Sequence, residues 1–168
     1  MFELKTDRLR LIPLEYDYLE MLSNSRLELE QALGLSKSTL DFSGEYKELR
    51  TETFLFWLEN AHNLDSDYRW HTNWEIVLSG ENRSIGGASF LGAPNRKGEV
   101  ILGYIIDKKY RKKGYMTEAI GAISQWALTE GGAKRIISFV EKESPVIDHL
   151  LQKCGFRKEV IYVKDTVQ

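Results

Sequence analysis

The sequence predicts a single α/β domain on a mixed sheet, on three observations. Apolar and β-branched residues fill WEIVL at 74–78, SIGGASFL at 84–91 and EVILGYII at 99–106, with turn residues between them, the pattern of neighbouring strands joined by hairpins. From Thr117 onward Ala119, Ile120, Ile123, Trp126 and Ala127 recur at helical spacing, and the pair Gly131 and Gly132 stops that helix. The apolar run RIISFV, Arg135 to Val140, then completes a strand–helix–strand unit, which requires two parallel strands and a right-handed crossover.

The remaining elements follow in order. Leu4, Leu9 and Leu11 alternate with polar neighbours as an opening strand that ends at Pro13. Leu19, Leu22, Leu29 and Leu33 give a helical stretch from Leu14 to about Leu35, interrupted or capped by Gly34. Ser36 to Lys47 is polar and aperiodic and reads as a loop. Phe54, Leu55, Leu58 and Ala61 share one face of a helix over about Thr51 to His62. Near the end, Ser144, Pro145 and Gly155 bracket a further helix as N-cap, first-turn proline and C′ glycine, and a last strand is expected from Phe156 to Val163.

Composition narrows the function classes. The chain has 168 residues, 42% hydrophobic and 29% charged with three prolines, which suits one packed domain and excludes collagen-like or wholly disordered classes. With 23 basic against 25 acidic residues the net charge is −2, so nothing draws the whole surface toward nucleic acid or an anionic membrane. Phosphate binding has to be local. A single cysteine, Cys154, excludes an intrachain disulfide and a multi-cysteine zinc cage and suits a reducing cytoplasm. Charges at Glu3, Lys5, Asp7, Arg8 and Arg10 break any signal-peptide core, so a cytoplasmic location is expected, and no metal cluster is read from the sequence.

The segment Asp107 to Ala119, DKKYRKKGYMTEA, carries the chemistry. It joins a strand to a helix N-terminus, and five of the six residues from Lys108 to Lys113 are basic. A glycine turn feeding a helix presents unpaired N–H groups at the positive end of the helix dipole, which favours phosphate or pyrophosphate. Gly114 lets a ligand approach the backbone closely. Neither G-x-x-x-x-G-K-[ST] nor G-x-G-x-x-G is present, and the composition alone is equally that of a solvated loop.

Arg111, Lys112, Lys113, Gly114, Tyr115 and Met116, followed by Thr117, Glu118 and Ala119, resemble the R-x-x-G-x-G/A pyrophosphate signature of the GNAT superfamily of N-acetyltransferases. TDRLRLIPL, GYIIDKKYRKKGYMTEA and HLLQKCGF fall in the order and spacing of its ribosomal-protein N-terminal acetyltransferase branch. The resemblance implies a mixed twisted sheet with helices on both faces and central parallel strands that splay apart. It implies acetyl-CoA as cofactor, with the amides of Arg111 to Thr117 around its pyrophosphate and the backbone of Leu102, Tyr104, Ile105 and Ile106 beside its pantetheine. Lys108, Lys109 and Arg111 are open to the 3′-phosphate or to solvent. The implied acceptor is a small-molecule amine or a peptide N-terminus, with no nucleic-acid or membrane partner; oligomeric state is left open, a homodimer included.

The chain departs from the family pattern. Met116 replaces a small residue; Ser144, Ile147 and Leu151 stand where Asn, Ser and Tyr are common, so the usual acid candidates are missing; and the chain stops soon after Val163. Neutralising a lysine-like amine with a pKa of about 10.4 at pH 7 costs roughly 4 to 5 kcal/mol, against about 1 for an α-amine. A base therefore matters most for side-chain-like amines, whereas a thiol leaving group with a pKa of about 8.5 tolerates losing its acid. Glu99, where the family often places a carboxylate or a water relay, is the base candidate, with an exposed strand-edge charge as its alternative; Ser144 is the second catalytic candidate and equally a helix cap. Trp70, Trp74, Phe54 and Trp57 read as acceptor pocket or core, Tyr104 as substrate contact or packing, and His71 as titrating or structural. A coenzyme-binding module without turnover is the rival reading; RNA binding through Lys108 to Lys113 lacks aromatic interleaving.

Overall fold

The computed structural model describes residues 1–40, 47–61, 67–139 and 144–158. Among the described residues six strands form one sheet in chain order, β1 (Leu4–Lys5), β2 (Leu9–Pro13), β3 (Asn73–Leu78), β4 (Arg83–Phe90), β5 (Glu99–Ile106) and β6 (Arg135–Ile137). All neighbours are antiparallel except β5 and β6, which are parallel and joined by helix α4 (Tyr115–Thr129) as the strand–helix–strand pattern requires. The other helices are α1 (Tyr16–Asn24), α2 (Arg26–Ala32), α3 (Lys47–Ala61) and α5 (Pro145–Lys153).

Helices cover both faces. On one, Leu9, Leu11, Trp74, Ile76, Phe90 and Leu102 pack against Ala119, Ile120, Ile123 and Trp126 of α4 in a single core. Burying side chains of this size contributes about 1.5–3 kcal/mol each, which fixes α4 firmly under the sheet. On the other face Ile12 and Val77 meet Leu35, and Leu14, Leu19, Leu22 and Leu29 pack with Phe54 and Trp57 of α3. That face also holds a buried polar knot. Glu75, fully buried, accepts from Arg26 of α2 at 2.5 Å, from Asn73 Nδ2 at 2.8 Å and from the Ser84 hydroxyl, so its charge is paired and α2 is tied to the sheet.

Several expected elements differ in extent. The opening strand is two, because Thr6 N–H donates to Leu9 C=O at 2.9 Å while Leu9 N–H donates back to the Thr6 hydroxyl at 2.9 Å, closing a turn between β1 and β2. The helix expected over 14–35 breaks at Ser25, whose extended backbone (φ −160°, ψ 131°) ends α1 and starts α2; Gly34 then leaves α2 with φ +65°. Helix α3 starts earlier than Thr51 and α4 at Tyr115, two residues before Thr117. Strand β6 stops at Ile137, with Ser138 and Phe139 outside it and Val140 outside the described residues. Phe156 to Lys158 are not in a strand, and the rest of that expected strand lies outside the described residues. No helix among the described residues is long and apolar enough to cross a membrane.

Candidate active site

The parallel pairing of β5 with β6 lasts only from Glu99–Arg135 to Ile101–Ile137. Strand β5 runs on to Ile106 while β6 ends, so the two part beyond Ile101. The phase of β5 follows from its bonds to β4. Leu91 N–H donates to Ile101 C=O at 3.0 Å and Asp107 N–H donates to Ile85 C=O at 2.9 Å, with an unbroken register between them. Backbone groups alternate sides along a strand, so those of Ile101, Gly103, Ile105 and Asp107 face β4, and those of Leu102, Tyr104 and Ile106 face the parting edge. Arg111 Nε takes the Ile106 carbonyl at 3.3 Å, which ties the following turn back to the strand.

Side chains divide by the same alternation. Leu102 is 2% exposed, and Tyr104 and Ile106 pack against the α4 core, so these three present backbone, not side chain, to the edge. Ile105 lies on the opposite face, half-buried. There Asn73, Ser89 and Gly103 stand side by side across β3, β4 and β5, and Gly103 is exposed. A Cβ on Gly87 would lie 2.5 Å from Asn73 Oδ1, so that glycine makes room for the amide.

After β5, Asp107 caps a 3-10 turn (Lys108–Tyr110) by accepting from Lys109 N–H at 3.0 Å. Tyr110 is the anchor of this basic stretch: its ring is buried and its hydroxyl donates to Glu81 at 2.8 Å. Burial, with the Glu81 carboxylate, raises its pKa against the opposing pull of Arg83. The basic residues Lys108, Lys109, Arg111, Lys112 and Lys113 are all exposed. Lys112 (φ +61°) and Gly114 (φ +82°) both adopt the left-handed conformation, and Gly114 is the N-cap of α4. The first amide of the helix bonded within it is that of Glu118, donating to Gly114 C=O at 3.1 Å; the preceding amides of Tyr115, Met116 and Thr117 have no intrahelical acceptor and lie at the positive end of the helix dipole. Met116, 5% exposed, sends its side chain into the core and takes no space from this turn.

One contact escapes any local reading of the sequence. The carboxylate of Glu118 accepts from the Thr6 hydroxyl at 2.6 Å, from Arg8 N–H at 2.9 Å and from Arg8 Nε at 2.7 Å. Arg8 also donates from Nη1 to Lys113 C=O at 3.1 Å, and its guanidinium lies 4.5 Å from the Tyr115 ring centre. Burial pushes the Glu118 pKa up, but the bonds from Thr6 and Arg8 outweigh it and hold the carboxyl below its usual range.

The catalytic candidates lie apart from the turn. Glu99 sits in the still-paired part of β5, accepting from Asn95 Nδ2 at 3.2 Å and facing Arg135 at 3.6 Å. Ser144 occupies the N-cap position of α5, but its side chain makes no capping bond there. In the same helix Leu151 is buried. Burial raises the pKa of the Tyr104 phenol, against an opposing pull from Ser138 just after β6. Trp70 and Trp74 belong to the α4 core and Phe54 and Trp57 to the α1–α3 core, which decides those four as packing. Burial lowers the pKa of His71 despite Asp67, so the imidazole is neutral at pH 7. Cys154 Sγ lies 3.6 Å from Thr117 C=O, and burial raises its thiol pKa. Among the described residues no group of three or more His, Cys, Asp and Glu is placed to hold a metal ion.

A strand pair that opens at mid-length, followed by a glycine turn into α4, is the arrangement that the sequence resemblance implies. The acetyltransferase (GNAT) domain family matches residues 8–157. The chain belongs to the GNAT acetyltransferase family. Among curated proteins it is 26% identical over 156 residues to the uncharacterized N-acetyltransferase YjdG of Bacillus subtilis (strain 168), covering 93% of this chain and 90% of that one. Among solved structures, a GNAT-family acetyltransferase from Bacillus anthracis aligns at a TM-score of 0.59 with 22% identity, covering 95% of this chain and 86% of that one. The ribosomal L7/L12 alpha-N-protein acetyltransferase RimL in complex with coenzyme A aligns at 0.64 with 15% identity, covering 95% and 86%. GNAT enzymes use acetyl-CoA, and this GNAT chain is an N-acetyltransferase with their mixed α/β fold.

Proposed function

We propose that this chain transfers the acetyl group of acetyl-CoA to a primary amine, of a small molecule or a protein N-terminus, by direct attack in a ternary complex. The observation that carries the reading is the pairing of an open β5 edge with a left-handed glycine N-cap at one end of the same strand. Both parts fit the cofactor. The unbonded amides at the start of α4 suit a pyrophosphate, and a Cβ at Gly114 would lie 3.3 Å from Arg8 Nη2, so the turn is shaped for a residue without one. Residues Arg111 to Thr117 would hold the phosphates, and the backbone of Leu102 and Tyr104 would pair with an extended amide chain as an added strand. Bound there, the cofactor supplies an acetyl thioester.

The chain's own task is to admit an amine and accept its proton. The face carrying Asn73, Ser89 and exposed Gly103 is the side on which an acceptor reaches β5. Glu99 projects on the same side of β5 as Gly103, four residues away, about 13 Å along the strand. At that separation it acts as base through water. A second reading, coenzyme binding without turnover, is favoured by one observation: Leu151 is buried where a phenol would serve as acid.

The test is release of free thiol from acetyl-CoA in the presence of a panel of α-amino peptides, polyamines and aminoglycoside-like amines. Acceptor-dependent release supports transfer. Tight coenzyme binding with no release from any acceptor favours the second reading.

A further inference from the structure

The 113–114 peptide is the part of the turn that most needs fixing. Gly114 carries no Cβ, so the plane between Lys113 and Gly114 can turn either way at little cost. In a trans peptide the C=O and the next N–H point in opposite directions. Arg8 Nη1 holds the Lys113 carbonyl at 3.1 Å, which turns the Gly114 N–H away from Arg8. The rest of the guanidinium is itself held, by Glu118 at 2.7 Å through both Nε and Nη2, and it lies over the ring of Tyr115. Glu118 sits in the first turn of α4 and Arg8 immediately before β2, so the bond joins the sheet, the helix and the turn.

We propose that Arg8, anchored by Glu118, is the positioning residue of the phosphate-binding turn: it sets the direction of the Gly114 amide and thereby the affinity for a pyrophosphate. This rests on reading the turn as the coenzyme A site. It makes Arg8 distinct from Arg10, two residues on, which bonds Asn82 at 3.0 Å and faces Glu3 instead.

The test is calorimetric titration of the wild type, Arg8→Ala, Arg8→Lys and Arg10→Ala with CoA, 3′-dephospho-CoA and 4′-phosphopantetheine, with far-UV circular dichroism on each variant. Arg8→Ala should weaken CoA and 3′-dephospho-CoA by the same factor, about tenfold or more, and 4′-phosphopantetheine by less than about threefold. Arg8→Lys should recover little, because a lysine cannot hold Glu118 and the Lys113 carbonyl together, and Arg10→Ala should bind as the wild type. A loss that vanishes with 3′-dephospho-CoA would make Arg8 a direct ligand of the 3′-phosphate and overturn the proposal. So would an equal loss for all three ligands, full recovery in Arg8→Lys, or an equal loss in Arg10→Ala. If Arg8→Ala does not fold, Arg8→Lys decides: wild-type affinity for CoA overturns the proposal and weakened pyrophosphate binding supports it. Wild-type protein that binds no CoA overturns the functional reading and this proposal together; CoA binding unchanged by Arg8→Ala overturns this proposal alone.

Discussion

The N–H of Leu91 donates to the carbonyl of Ile101 at 3.0 Å, and this bond sets which backbone groups of β5 meet the opening beside β6. Because Ile101 faces β4, Leu102 and Tyr104 turn their amides and carbonyls to the opposite edge. Tyr104 thus offers backbone to the opening while its ring packs against the α4 core. Tyr104→Phe separates the two roles. It removes only the phenol oxygen and keeps the packed ring, so it should change stability by no more than about 1 kcal/mol and leave the acetyl-CoA dissociation constant within about twofold. Denaturant unfolding and calorimetry measure both; a large loss of affinity would show that the phenol, not the backbone, meets the cofactor.

Gly114 adopts φ +82°, and a side chain there would meet Arg8 Nη2 at 3.3 Å. Gly114→Val should cost roughly 1–2 kcal/mol of stability for the left-handed conformation and weaken acetyl-CoA at least about tenfold. Thermal unfolding and titration check the two effects. Unchanged affinity would move the pyrophosphate elsewhere.

Glu118 gives a pH signature. Its folded-state pKa is held below the ordinary 4.5 by Thr6 and Arg8 against the cost of burial. A carboxyl with a depressed folded pKa contributes stability that is fully present above its unfolded pKa and is lost as pH falls through the folded one. Wild type should therefore melt higher than Glu118→Gln near neutral pH, and the two should converge as the pH falls below the ordinary carboxylate range. A gap that stays constant through acid would assign the effect to packing.

Glu99→Gln should slow turnover more for high-pKa amines than for α-amines, because only the former demand a strong base. Steady-state rates with a polyamine and an α-amino peptide compare them. Equal loss for both would make Glu99, already bonded to Asn95 and near Arg135, a positioning group.

The legible parts of this fold are those with a local signature. Strands β3 to β5 and helix α4 show alternation or helical spacing in residues that pack into one core, and Gly114 announces its turn by being glycine. What stayed hidden depends on partners far along the chain. The break at Ser25 is a single extended residue between two amphipathic helices; Ser25 followed by Glu28 has the S-x-x-E form of a helix start, a signal masked by leucine spacing that runs on across it. Thr6 and Arg8 stand in the opening motif and Glu118 in the turn motif, yet only the fold brings them together across more than a hundred residues. Lys112 at φ +61° is equally silent, since lysine does not advertise a left-handed backbone. The tryptophans read as pocket or core because an aromatic side chain looks the same in both until its neighbours are known.

Thermal unfolding of the wild-type chain with and without acetyl-CoA, with ATP and NAD as controls, tests the coenzyme site most directly. A ligand at a hundred times its dissociation constant adds about 2.7 kcal/mol, which for a domain of this size raises the midpoint by about 5 to 11 °C. A shift of that order is expected with acetyl-CoA and none with ATP or NAD. No shift at millimolar acetyl-CoA, or an equal shift with all three, would contradict the coenzyme A reading of the site.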